Sequence, residues 1–575
     1  MKRIHSKELR LALSQLAFIL MLSLPLMTFP SGSVFARFIP DVIAFTCLGL
    51  WGLLTMMQKE TRYQPLEINS LGLLALVWTA IVAAQYFSGL ISTSASFTLM
   101  SLGYFLAMLM IGILVNIWVK AGYKTELFQS FLMAVLLAAV LNAIVIVIQS
   151  SNYIDLFIPM IEKGNQNRPG GFISQSNIAG SWLLCGLIAL VFHTKDSEQT
   201  SSKPRLVNLC IMALLMYAIN QTSSRIVVIE MMAVTAILFA MRKQFAVSPV
   251  WLLMPVWQTV VFLISYLAHQ VADISNSAGT LVRMAEGQQA RFDIYQGVIN
   301  IIKDHPLWGI GWRQMQLEQI SRPELDGVPD HAHNLFLQVQ LELGVLGSVS
   351  LLVFLIYWLK QRHIWTTKDP VIAVGLLVCM VFGLHSMAEY PLWFGHSLFV
   401  FCVGVAFLAE KPLLRLKIHA NVVLCVFALQ LMMLAWIYTD HAKAYAKLEA
   451  FTKNIPVTDT NEFPPTWWFK TYDDYRELQV SSVSQDNYTQ YRSQALQLTN
   501  YLTQAIPFHM LLKIYVFSNE ETKSLGFARK ICKMDVKLWQ KIVAYHLLTG
   551  PQDMQTWILA LPPDLKKCSS SETPF

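Results

Sequence analysis

Residues 331–359 read HAHNLFLQVQLELGVLGSVSLLVFLIYWL. Two imidazoles and an amide precede a long apolar run in which Glu342 is the single charge, and Gly344 and Gly347 stand one helical turn apart. A run of this length and character spans a bilayer as helix. Working outward, similar runs recur near 11–29, 40–58, 69–88, 97–118, 126–149, 176–194, 205–221, 225–242, 250–270, 369–388, 394–410 and 419–438. With 55% hydrophobic and 14% charged residues, against about 25% charged for soluble domains, the chain reads as an all-α polytopic membrane protein. About thirteen transmembrane helices are expected.

The net charge of +7 is explained by where the basic residues sit, and it calls for no nucleic-acid partner. With the N-terminus inside, alternate loops carry about nineteen basic residues, from Lys2, Arg3, Lys7 and Arg10 through Lys411, Arg415 and Lys417. The opposite short loops carry about four: Arg37, Lys163, Arg168 and Arg225. That bias is the positive-inside pattern, and an odd number of spans then places everything after about residue 440 outside the cytoplasm. The first span follows a basic stretch, but its apolar run exceeds a signal-peptide core and no small-x-small site follows, so it reads as an uncleaved anchor. Six cysteines lie in the spans as small core residues. Cys532 and Cys568 lie in the external tail, where an oxidising compartment would let them pair.

Three regions interrupt the helical array. The external loop near 150–175 is rich in Gly, Pro, Asn and Ser, the composition of structured turns. The long loop of 271–334 contains an amphipathic stretch, Arg291 to Lys303, with Phe292, Tyr295, Val298, Ile299 and Ile302 on one face. A turn built from His305-Pro306 and Gly309-x-Gly311 closes it. The tail is expected to form several short amphipathic helices with a loop at Asn461–Pro465. The resulting organisation is 1–270 N-terminal transmembrane helices, 271–334 a periplasmic catalytic loop, 335–438 C-terminal transmembrane helices and 439–575 a periplasmic helical domain.

Histidine suits proton transfer near neutral pH, and ionisable groups at a membrane boundary are costly to desolvate, so they tend to be kept for function. His333 therefore leads the candidate site, with His331 a competitor outside the helix proper. The two glycines are expected to admit a neighbouring helix that holds the histidine rigid. Arginine pairs with phosphate oxygens through its fork and stays charged. Arg225 in Ser223-Ser224-Arg225, and Arg291, suit that role; the plain alternative for each is snorkelling to lipid headgroups.

The spacing His333-Asn334, nine residues, Gly344-x-x-Gly347 resembles the pattern of the O-antigen ligase and polymerase superfamily of bacterial envelope glycosyltransferases. Arg168-Pro-Gly-Gly-Phe-Ile-Ser-Gln175-Ser-Asn177 and His385-Ser-Met-Ala-Glu389-Tyr390-Pro391 resemble segments of its PglL-type protein O-oligosaccharyltransferases. The resemblance implies transfer of a preassembled glycan from an undecaprenyl pyrophosphate carrier to a hydroxyl of a periplasmic, pilin-like acceptor protein, at the inner membrane among its lipids. It implies no cofactor and no metal. His333 is then the catalytic base, and Arg225, Arg291, Gln175, Tyr390, Asn334 and Glu389 are substrate-binding candidates. The bare residues give Gln175, Tyr390 and Glu389 structural alternatives: a turn-stabilising amide, an interfacial tyrosine and a loop-end carboxylate.

No Asp-x-Asp pair sits in an external loop, and no phosphate-cradling glycine loop is present, which weighs against Mg²⁺-dependent and ATP-driven chemistry. Two alternatives stand beside the first reading. An O-antigen ligase or polymerase would use lipid A-core or another glycan as acceptor. A transporter would carry charges deep inside several spans, where the notable ones are Glu230 and Glu342.

Overall fold

The structure is a computed structural model. It describes residues 2–28, 38–151, 154–157, 161, 163–164, 168–197, 206–245, 247–272, 289–322, 329–408, 412–452, 465–481, 483–499 and 505–570. Apart from single turns, the helices are α1 Lys2–Ser23, α2 Phe38–Met56, α3 Ser70–Phe87, α4 Ala95–Lys120, α5 Lys124–Gln149, α6 Ser176–Ser197, α7 Leu206–Thr222, α8 Arg225–Ala240, α9 Met254–Ala272, α10 Gln289–Asp304, α11 Met315–Ser321, α12 Leu335–Leu359, α13 Pro370–His385, α14 Gly395–Leu408, α15 Ala420–Thr452, α16 Lys470–Val480, α17 Tyr488–Thr499, α18 Ala505–Phe517, α19 Glu521–Met534, α20 Val536–Thr549, α21 Gln552–Leu559 and α22 Pro563–Ser570. Every expected apolar run falls on helix in its described part. Among the described residues, eight helices are long and apolar enough to cross a membrane, and α7, α13 and α14 are among the shorter apolar helices.

The chain packs as two compact units, one of residues 1–77, 103–287 and 350–439 and the other of 78–102, 288–349 and 440–575. In the first, α6 is the innermost candidate span, 89% buried from Ser176 to His193. Trp182 on α6 packs edge-on against Phe382 of α13 and His396 of α14, and its indole N–H donates to Ser397 Oγ (3.0 Å). Helix α13 starts where Asp369 Oδ1 accepts from Val371 N (3.0 Å) with Pro370 in the first turn, a capped start that satisfies an otherwise orphaned donor. Strand β1 (Leu66–Ile68) pairs antiparallel with β2 (Leu414–Leu416). Glu67 of β1 is buried and bonds Lys120 and, at 3.0 Å, Arg415, so the carboxylate is compensated by two cations.

In the second unit α10 buries Val298 and Ile301 against Ile310, Met315, Ala332 and Leu341. Phe292 and Ile299 are exposed (65% and 42%), so the protein itself covers only part of the apolar face read off the sequence, Val298 and Ile302 among it. The buried face is set by the 305–315 turn that packs on α10, which shifts it toward Ile294, Val298 and Ile301.

Helices α16 to α22 enclose two apolar clusters, one around Phe508, Leu511, Trp539 and Ile558, the other around Leu478, Leu498, Ile514 and Met554. Residues 461–464 of the expected tail loop lie outside the described residues. Cys532 and Cys568 are disulfide-bonded, with Cα atoms 6.4 Å apart, and both side chains pack on the first cluster. Closing that loop is expected to contribute about 2–4 kcal/mol. Cys568→Ser should therefore lower the unfolding midpoint of the tail, followed in the full chain by protease cleavage within 440–575 on heating, and a reductant should do the same to the wild type but not to the variant. An unchanged midpoint would show the bridge to be dispensable.

Candidate active site

The His333 neighbourhood is built by a broken helix. Asn334 Oδ1 accepts from Phe336 N (3.0 Å) and Leu337 N (3.2 Å), capping α12 and placing His333 just ahead of its first turn. His333 has φ +49°, a left-handed conformation uncommon for a residue with a Cβ. Two other such residues flank candidates: Ser174 (φ +59°) precedes Gln175, and Ser223 (φ +49°) lies two before Arg225. Outliers of this kind concentrate at functional sites. Tyr295 of α10 donates its hydroxyl to His333 O (3.3 Å). Arg291, half-buried, lies one turn before Tyr295 on the same face of α10, so the second unit brings His333, Asn334 and the helix of Arg291 together.

Ten residues into α12, Gly344 adopts φ +65°, ψ −161°, a region open essentially to glycine alone. The helix kinks there, and the turn at 306–311 docks on the break. Ile310 N donates to Leu341 O (2.8 Å), Val345 N to Leu307 O (3.1 Å), and Gln85 Nε2 to both Trp308 O and Glu342 O (2.8 Å each). These bonds satisfy carbonyls that the kink would leave bare. A Cβ on Gly344 would lie 2.2 Å from Leu307 O. This corrects the reading of Gly344 from sequence: the residue admits a turn of backbone, where a neighbouring helix was expected. Gly309 and Gly311, with φ +68° and +95°, form the shaped turn anticipated from the sequence.

In the first unit the 168–177 segment is clamped to α5: Gly171 N donates to Gln149 Oε1 (2.8 Å) and Phe172 N to Asn142 Oδ1 (2.8 Å). Gln175 Oε1 accepts from Ile178 N (2.6 Å) and so caps α6. Arg168 donates to Asn177 Oδ1 (2.9 Å), and Asn177 Nδ2 to Glu389 Oε1 (3.2 Å). Glu389 is buried, and the neighbouring Tyr390 packs against Trp393 and Phe394. Arg168, Asn177 and Glu389 thus form one polar chain; Gln175 caps the helix that carries Asn177, and Tyr390 follows Glu389 in sequence. Arg225, half-buried, opens α8 after a buried polar turn, Asn220 to Ser224.

Sequence reading missed a further cluster beneath this network. Ser181 Oγ donates to Glu230 Oε2 (2.7 Å), and His385 Nδ1 lies 3.0 Å from Glu230 Oε1 and 2.7 Å from Ser181 Oγ, all three fully buried. The signal was present in Glu230: a mid-span carboxylate requires partners, and Ser181 and His385 serve it.

Family models match in two stretches. A model described as O-antigen ligase covers residues 209–352, which hold Arg225, Arg291, His333, Asn334 and both glycines of α12. A model described as the C-terminal part of a virulence factor membrane-bound polymerase covers 372–521, which hold Glu389 and Tyr390. A general O-oligosaccharyltransferase of Acinetobacter baylyi is 22% identical over 425 residues, 68% of this chain and 70% of that protein. These matches support a PglL-type O-oligosaccharyltransferase in the O-antigen ligase superfamily. A ComP-specific O-oligosaccharyltransferase of the same organism, 25% identical over 242 residues, aligns with 40% of this chain, which spans 42% of that relative's length. By these matches the chain is a glycosyltransferase, and Gln175 lies outside both matched stretches.

Proposed function

We propose that this enzyme transfers a preassembled oligosaccharide from an undecaprenyl pyrophosphate carrier to Ser or Thr hydroxyls of periplasmic, pilin-like proteins. The acceptor oxygen attacks the anomeric carbon with inversion, the bond to pyrophosphate breaks, and the electron pair leaves with undecaprenyl pyrophosphate. The hydroxyl proton passes to His333 as general base. Arg225 and Arg291 hold the pyrophosphate, so the developing charge is met by guanidinium groups and no metal is needed. Gln175, Asn334, Glu389 and Tyr390 contact glycan or acceptor.

The observation that carries this reading is His333 itself: an imidazole held in a left-handed conformation at the start of a kinked helix, inside the stretch that the ligase family model covers. The basic residues of alternate loops support an orientation in which 271–334 and 439–575 face the periplasm from an inner-membrane array of spans. The Cys532–Cys568 disulfide agrees with an oxidising compartment.

A second reading is favoured by the descriptions of the two family models: a ligase acting on lipid A-core, or a polymerase acting on another glycan. The purified protein with a lipid-linked oligosaccharide and a pilin-type acceptor, in detergent with EDTA, separates the two. Mass gain on an acceptor Ser or Thr is expected. Extension of lipid A-core or of a second glycan lipid, with the acceptor unmodified, would overturn the protein-acceptor reading. Loss of activity in EDTA would overturn its metal independence.

A further inference from the structure

We propose that Asp330 and His331 are positioning residues that fix which nitrogen of His333 takes the acceptor proton. The inference rests on His333 being the base. His331 is buried (5% exposed), and Ala332 N donates to Gln338 Oε1 of α12 (2.6 Å), which holds the segment in place. On one side His331 Nδ1 bonds the Asp330 carboxylate. On the other, His331 Nε2 lies 3.2 Å from His333 Nδ1, with ring centroids 4.0 Å apart.

Along these two bonds, neutral imidazoles admit one arrangement of protons. An ionised carboxylate can only accept, so His331 carries its proton on Nδ1 and presents a lone pair at Nε2. That lone pair must be met by a donor, which places the His333 proton on Nδ1. His333 Nε2 is left with its lone pair, the state a general base requires. The Asp330 carboxyl is suited to its end of the row. Partial desolvation would raise it, but the hydrogen bond from His331 and the charge of Arg313 hold it below the usual carboxylate range. When His333 Nε2 takes the hydroxyl proton, the new imidazolium keeps its Nδ1–H bond to His331, and the ionised Asp330 stands at the far end. Without His331, the ring of His333 can turn or carry its proton on Nε2, where it cannot act as base.

The test compares single variants and a double variant in the transfer assay at saturating lipid-linked oligosaccharide. His331→Leu is expected to lower kcat about 10–100-fold with KM for the donor unchanged. Asp330→Asn, which keeps an acceptor but loses the charge, should lower it less. His331→Gln, whose carbonyl oxygen can accept the same bond from His333, should recover part of the loss. The double variant His331→Leu/His333→Ala should be no slower than His333→Ala alone, because His331 acts through His333. Losses that multiply, a change confined to KM, or a fully active His331→Leu would overturn the inference. A fully active His333→Ala would instead overturn the assignment of the base. Monodisperse protein with unchanged donor binding excludes misfolding as the cause.

Discussion

His333→Ala is expected to lower the rate of glycan transfer at saturating donor by about 10²–10⁴-fold, the usual contribution of a positioned general base. The substitution also acts on the backbone. At φ +49° any residue with a Cβ is strained, so alanine inherits the left-handed conformation without the bonds that hold the imidazole there. His333→Asn separates the two effects. Asparagine tolerates that region better than most residues, so this variant should unfold closer to wild type while remaining as slow as the alanine variant. A histidine that merely capped α12 would give the opposite pattern, because Asn334 already supplies the cap: activity within a few-fold of wild type and a change seen only in the melting temperature.

Gly344→Ala is expected to be the most damaging single substitution in the fold around the site. The backbone region alone costs on the order of 1–3 kcal/mol for a residue with a side chain. The added Cβ would meet Leu307 O at 2.2 Å and Trp308 C at 2.6 Å, and main chain cannot move aside as a flexible side chain can. Relief would require the 306–311 turn to lift off, breaking the bonds from Ile310, Val345 and Gln85 together. The expected result is a sharp loss of monodisperse protein in detergent and of transfer activity. Gly347→Ala should cost less. Its Cβ would crowd Leu343 Cβ at 2.4 Å and Val339 Cγ1 at 3.2 Å, contacts with side chains of its own helix, and it has no positive φ. Wild-type stability and activity in Gly344→Ala would refute the kinked-helix account.

The membrane-spanning character was readable because a bilayer imposes a minimum apolar length, and each run near that length became helix. Local features were readable where they act through neighbouring backbone, as the glycines at 309 and 311 do. What escaped the sequence depends on partners far along the chain. His385 and Glu230 are 155 residues apart and Ser181 and His385 are 204 apart, and no spacing rule joins them. The same holds for Gly344, where two glycines a turn apart fit equally a close helix approach or a kink. Only the turn at 306–311, contributed by another segment, decides between them. On α10 the hydrophobic period was legible but the part of the stripe that protein covers was not, because an amphipathic helix does not specify which edge of its apolar stripe a neighbour will cover.

The pairing of Leu66–Ile68 with Leu414–Leu416 sets a schedule for biogenesis. At synthesis rates of about 5–20 residues per second, the second strand emerges roughly 20–70 s after the first. During that interval Glu67 lacks Arg415, and Gly52 of α2 waits for the Phe427 ring against which it packs. The early helices can pack on one another meanwhile, but this face of α2 stays uncovered until the last of them arrives. A ribosome that stalls before residue 414 leaves an unfinished intermediate with a bare strand edge and a surface for quality-control proteases to recognise.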